Sequence, residues 1–536
     1  MSSIAADTFV ASPSRPSLDN RPGAATAMIF LALLVGGVGF TGYNLFHDIS
    51  ESDAPTTTWL PFILLGVALL IALAFEFVNG FHDTANAVAT VIYTNSLPAN
   101  FAVIWSGFFN FLGVLFSSGA VAFGVITLLP VELILQVSSG AGFAMVFALL
   151  IAAILWNLGT WWLGLPASSS HTMIGSIIGV GVANAMMHGR DGTSGVDWSQ
   201  ALKIGETLLI SPIFGFVLSA LLLLVLKKLA KNRELYQAPR GNTPPPWWIR
   251  GLLVFTCTGV SFFHGSNDGQ KGMGLIMLIL VGTVPMAYAL NRAMPVEQMT
   301  PFAELATTTQ ASLGRYATAS APAASRAALA EYVRSRSWND GVVPALAAIT
   351  GDIASQVNAS GTFARMPAEK VANVRNDMYL TSEAMRLFAK DSHSAIFDAD
   401  TQRNLGAYKR QIDQATKFIP LWVKVAVAIA LGLGTMIGWK RIVVTVGEKI
   451  GKTHLTYAQG ASAELVAMST IAAADMFGLP VSTTHVLSSG VAGTMAANRS
   501  GLQWDTLRNL AMAWVLTLPA AIGLSALLYW LFRHLF

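Results

Sequence analysis

The stretch "NGFHDTANAV", residues 79–88, puts two Asn, a His, an Asp and a Thr between apolar runs. Leu60 to Val78 is almost unbroken apolar sequence, and apolar sequence resumes after the motif. Ionisable groups at bilayer depth are expensive and mark ion or ligand pathways. An ionised Asp83 only accepts hydrogen bonds, so it suits a cation: a proton, Na⁺ or a metal travelling with an anion. The stretch "FVNGFHDTANAV" has a partner in "FFHGSNDGQKGM". In register, Gly80 matches Gly265 and Asp83 matches Asp268. Lys271 falls opposite Asn86, where it would neutralise Asp268 or meet the anion. Asn79, Asn86 and Asn267 supply neutral donors and acceptors.

A second pair is "LPASSSHTMIGSIIG" and "LPVSTTHVLSSGVAG", with Pro166 opposite Pro480 and His171 opposite His485. Proline suits a helix start, where its missing N–H is not needed. Freed N–H groups there, backed by the helix dipole, attract anions. Ser168, Ser169 and Ser170, with Ser482, Thr483 and Thr484, add hydroxyl donors. Neutral donors hold an oxyanion without the desolvation penalty of a buried arginine. One Ser-rich helix start is ordinarily a cap, but two at matched positions point to a shared anion site. His171 and His485 are expected to donate to carbonyls and orient these motifs. Glu464, in the apolar stretch "AELVAMSTIAAADMFG", is a further cation-site candidate.

The elements that must hold these residues are membrane helices. The chain has 536 residues, 53% hydrophobic and 12% charged, against about 25% charged in a soluble domain. With several apolar runs of about 20 residues, this is an all-α polytopic membrane protein. The net charge of +4 reports orientation and gives no sign of nucleic-acid binding. The single Cys257 excludes an internal disulfide and a Cys-rich metal site.

The Asp motifs are offset by 185 residues and the Pro motifs by 314. The difference nearly equals the length of the polar, Ala-rich segment 291–418. The chain therefore reads as a polar tail at 1–24, an extra transmembrane helix at 25–46 and a first membrane repeat at 59–230. The second repeat occupies 250–290 and 419–532, and 291–418 is an extramembrane, helical insertion within it. Leu60 to Leu97 is too long for one span and short for two, so it counts as one crossing broken at the polar motif, with a re-entrant remainder. Five net crossings per unit invert the second repeat. The basic loops near 227–250 and 440–452 then both fall inside, as positive-inside orientation requires. Inverted repeats with broken helices are a secondary-transporter signature.

These paired motifs resemble the inorganic phosphate transporter (PiT) family, which carries a duplicated G-A-N-D-type motif and a P-x-S-x-T-H-type motif. The likeness covers 59–290 and 419–532 and is nearest to bacterial low-affinity Pit permeases. It implies an inverted-repeat fold, a multi-pass protein of the bacterial inner (plasma) membrane, and phosphate held near the midplane. By position it implies a site of Asp83, Asn86, Asn267, Asp268, Ser168 to Ser170 and Ser482 to Thr484. The bacterial permeases imply proton coupling and phosphate carried as a neutral metal complex, with no resident cofactor. There are two departures. His82 stands where the family usually has Asn. Asn110 stands where sodium-coupled members carry a Glu, although Glu464 matches a second Glu of theirs.

Three readings follow. The first is a proton-coupled phosphate symporter, not an enzyme, with inorganic phosphate and the lipid bilayer as partners. The second is a sodium-coupled phosphate or a sulfate carrier. Phosphate can donate through its own hydroxyl to carboxylates, which favours it over sulfate. The third is an intramembrane hydrolase, against which the duplication counts. Oligomeric state, a homo-oligomer included, stays open.

Overall fold

The computed structural model describes residues 16, 18, 23–52, 59–83, 85–128, 140–191, 196–239, 241, 243–317, 321, 324–390 and 395–535. Among them the only β-pairing is an isolated bridge between Gly451 and Leu502; the rest of the regular structure is helical. Six of the helices are long and apolar enough to cross a membrane: Ala24–Glu51, Leu60–Tyr93, Ala99–Phe116, Gly140–Trp162, Trp198–Leu229 and Trp504–Phe532. A seventh candidate is the pair Ala399–Thr416 and Leu421–Thr435, bent by 68°.

The two motif types sit on different local structures. The second Asp motif lies inside one continuous helix, Trp247–Thr283. The first lies at the end of Leu60–Asp83, and helix resumes at Ala85–Tyr93. In the first copy the junction between Asp83 and Ala85, where the break is expected, lies outside the described residues. In the second copy the helix runs through the motif without a break. The reason there is that the motif's polar side chains find partners on other helices, so the backbone need not open to satisfy them.

Described helix stops fall before the hydroxyl motifs. Gly164 (φ 68) and Gly478 (φ 65) adopt the left-handed conformation. Leu165 N–H donates to the Thr160 carbonyl at 3.0 Å, and Leu479 N–H to that of Ala474 at 2.9 Å. Each is a glycine helix stop of the 6→1 type. The chain then turns through Pro166 or Pro480 and starts a new helix, Ser169–Met187 or Thr483–Ala497. Both short helices begin inside the protein, with Ser168–Ser170 and Ser482–Thr484 buried.

Packing between the halves is reciprocal. Ser169–Met187 lies on Trp504–Phe532, and Thr483–Ala497 on Trp198–Leu229. Ala99–Phe116 lies on Trp247–Thr283, and Leu421–Thr435 on Leu60–Asp83. Backbones touch at these crossings. A Cβ on Gly80 would strike the Leu431 carbonyl, and one on Gly265 that of Asn110. Likewise Gly113 abuts the Phe262 carbonyl and Gly434 that of Phe77. Small residues at such contacts let apolar helices approach closely where lipid gives no hydrophobic driving force.

Helices Met299–Gly314, Ser325–Ser335, Val342–Ser360, Ala368–Lys390 and Ala399–Thr416 gather around their own core, which includes Phe302, Leu346, Phe388 and Tyr408.

Candidate functional site

The two buried helix starts meet each other and both Asp motifs. Ser168 Oγ accepts the His171 N–H at 3.3 Å and Ser482 Oγ accepts the His485 N–H at 3.2 Å. Both hydroxyls are thus N-caps, and each retains its own hydrogen for donation. The imidazoles of His171 and His485 lie 4.6 Å apart between centroids, tilted by 40°, and His485 lies 4.4 Å from the Trp514 ring, tilted by 33°. His171 Nδ1 and His485 Nε2 make no hydrogen bond among the described residues. The expected carbonyl contacts are replaced by tilted ring contacts, because the inward-facing helix starts bring the two rings together.

Asp83 is held from both halves. Ser169 Oγ donates to its Oδ2 at 2.5 Å and Thr484 Oγ1 to its Oδ1 at 2.7 Å. His82 Nδ1 lies 3.0 Å from Oδ1, and its Nε2 lies 3.1 Å from Thr160 Oγ1. Asp268 pairs through Oδ1 with Lys271 Nζ at 2.5 Å, while its Oδ2 is 3.5 Å from both His264 Nε2 and Ser169 Oγ. Lys271 also donates to Ser170 Oγ. Ser169 is the meeting point: Asn79 Oδ1, Asp83 and Asp268 all lie within reach of one hydroxyl that has one hydrogen. All of these side chains are buried.

One ligand atom from each of Asp83, His264 and Asp268 lies within 4.8 Å of the others. Two carboxylates so close repel unless a proton or another cation joins them. Thr483 Oγ1 is buried without a hydrogen-bond partner among the described residues, a donor to spare beside the helix start.

The remaining candidates are distributed. Asn267 clamps the second turn, donating to the Leu479 carbonyl at 3.1 Å and accepting from Val481 N–H at 3.4 Å. Asn110 Oδ1 is 2.8 Å from His264 Nδ1, and its Nδ2 donates to Thr435 at 3.2 Å. It therefore reaches Asp268 through His264. Glu464 stands apart, accepting from Thr90 and Thr256. Thr256 precedes Asp268 by three turns of an unbroken helix, about 18 Å. The side chain of Asn86 lies outside the described residues. Sequence reasoning gave no role to His264 or His82 and little to Asn79. Their signal was present, since each stands within four residues of a motif Asp.

A buried polar cluster at two inward-facing helix starts, inside a polytopic helical protein, is the arrangement of a membrane transporter. The chain belongs to the phosphate transporter family, which it matches over residues 79–525. It is 41% identical over 491 residues to the low-affinity inorganic phosphate transporter PitA of Escherichia coli K12, covering 87% of this chain and 97% of that protein. PitB of the same strain is 39% identical over 495 residues, covering 88% and 97%. A low-affinity inorganic phosphate transporter of Buchnera aphidicola from Acyrthosiphon pisum is 39% identical over 503 residues, covering 91% and 99%. A solved sodium-dependent phosphate transporter aligns at 20% identity with a TM-score of 0.49, covering 88% of this chain and all of that one.

Proposed function

We propose that this chain is a low-affinity carrier of inorganic phosphate, coupled to protons, in the bacterial plasma membrane. Relatives named as low-affinity phosphate transporters, at up to 41% identity over nearly their full length, support the substrate. The observation that carries the coupling is the approach of Asp83 and Asp268 to the single hydroxyl of Ser169. Phosphate entering among Ser168–Ser170, Ser482–Thr484 and Lys271 meets hydroxyl and N–H donors but also two carboxylates. The anion is admitted only if a positive charge comes with it. A proton on a carboxylate meets that need, and so does a divalent metal travelling with HPO₄²⁻ as cargo. Asn110 brings no charge where sodium-coupled relatives carry Glu, which favours the proton over sodium.

Each membrane unit, 59–230 and 250–290 with 419–532, is read as one of two inverted repeats. The helix at 25–46 lies outside both, and the insertion 291–418 faces the exterior. Reciprocal packing of matched helices supports the duplication.

The test of substrate is uptake of labelled phosphate and labelled sulfate into proteoliposomes, with a phosphate-ester hydrolysis assay alongside. Phosphate uptake that excess sulfate does not displace, without hydrolysis, supports the proposal. Sulfate preference or ester cleavage overturns it.

A further inference from the structure

Glu76 belongs to none of the groups above. It precedes Asp83 by two turns on Leu60–Asp83, about 10 Å along the axis. It is fully buried, and Oε1 has no hydrogen-bond partner among the described residues. Oε2 lies 3.5 Å from Asn79 Nδ2. The carboxylate packs onto Gly272, where any Cβ would occupy its place. Position 272 therefore leaves room for this one acid beside Lys271.

A chain of polar contacts links Glu76 to the anion site. Asn79 Nδ2 faces Glu76, and Asn79 Oδ1 accepts from Ser169, the hydroxyl shared with Asp83 and Asp268. The charged groups facing Glu76 are Asp268 and Lys271 of Trp247–Thr283. Gly140–Trp162, packed on Leu60–Asp83, carries no ionisable side chain. Leu421–Thr435 carries only Lys424, whose Nζ donates to the Ser117 carbonyl at 2.7 Å. Ser169–Met187 adds His171, whose ring lies against that of His485.

Of the three carboxylates, Asp83 accepts two hydroxyl hydrogen bonds and Asp268 holds the Lys271 ammonium. Glu76 is left with an unpartnered oxygen at membrane depth, where an unpaired carboxylate is least tolerable and a neutral acid is favoured.

We propose that Glu76 carries the coupled proton, binding it when phosphate binds beside Lys271 and releasing it on the opposite side of the membrane. This rests on the proton-symport reading. The step is a simple protonation, carboxylate plus H⁺ to carboxylic acid, with no bond to phosphate made or broken. With Glu76 ionised, the three carboxylates outnumber the one ammonium by two charges. Protonation removes one of them, so phosphate binds more readily. By linkage, bound phosphate raises proton affinity at Glu76 by the same factor.

The test compares wild type, Glu76→Gln and Glu76→Asp in proteoliposomes. Two quantities are read: phosphate accumulation driven by an imposed pH gradient, and labelled-phosphate exchange at equal phosphate on both sides. Glu76→Gln should lower driven accumulation by about tenfold or more, change exchange by less than about threefold, and flatten its pH profile. If Glu76→Gln loses both activities, driven uptake by Glu76→Asp with a displaced pH profile still supports the proposal. If Glu76→Asp restores neither, Glu76 is structural and the proposal falls. Glu76→Gln that accumulates phosphate with the wild-type pH profile also overturns it. A wild type that ignores the pH gradient defeats the symport reading itself.

Discussion

Ser169 has one hydrogen and three acceptors around it, so its hydroxyl chooses between Asn79, Asp83 and Asp268. A bound phosphate would add a fourth acceptor. Losing a hydrogen bond to a charged group costs about 1.5–3 kcal/mol. Ser169→Ala should therefore raise the KM for phosphate roughly ten- to a hundredfold, and Thr484→Ala should act similarly. Uptake kinetics check this, with surface expression as the control for folding. Asp83→Asn and Asp268→Asn should each abolish driven uptake. The hydroxyl and Asp motifs were legible because each occurs twice in register. Glu76 was visible in the sequence but its meaning was not, since that depends on Gly272 and Asn79 being beside it. Glu464, singled out for its apolar surroundings, lies with Thr90 and Thr256 instead. Sequence cannot say which of several buried acids shares a cavity.

Helices cross where glycine meets a carbonyl, and these crossings are paired between the halves. Gly113 against Phe262 corresponds to Gly434 against Phe77. Gly434→Leu or Gly113→Leu should separate the crossing helices. Overpacking of this kind costs about 1–3 kcal/mol, so the melting temperature in detergent should fall. An unchanged melting temperature would mean these crossings contribute little to stability. The proposed duplication rests on two motif offsets and on the paired crossings. The place of the helix stops was not legible. Polar residues point to a break at Asn79–Val88, whose junction after Asp83 lies outside the described residues, and give no sign of the stops at Gly164 and Gly478. A polar residue unwinds a helix only if nothing else satisfies it, and around the second motif other helices do.

At the scale of the whole molecule, the insertion is tied to the membrane part by Asp197. This residue caps Trp198–Leu229 through the Gln200 N–H at 2.8 Å, and it pairs with Arg336 and with Arg386 Nη2 at 3.2 Å. Burial alone would raise the Asp197 carboxyl. The Gln200 N–H and the two arginines outweigh it and hold the pKa below the usual carboxylate value. A depressed pKa stabilises above the unfolded value, about 3.9, and that contribution is lost as pH falls through the lower folded value. The clasp should thus be intact at neutral pH and open only in strong acid. Asp197→Asn should make the insertion more sensitive to protease at pH 7.

The sidedness assigned to the insertion has its own test. Cys257 is buried, so a cysteine placed at exposed Ser337 is the reactive thiol. It should take an impermeant maleimide in intact cells. Labelling only after permeabilisation would reverse the orientation.

The central proposal is that phosphate moves with protons through the cluster around Ser169. The most direct measurement is uptake of labelled phosphate by purified protein in proteoliposomes, at fixed phosphate and metal and clamped membrane potential. A proton gradient and a sodium gradient are imposed in turn. The expected result is accumulation driven by the proton gradient and abolished by a protonophore. Accumulation driven by sodium alone, and indifferent to the protonophore, would contradict it.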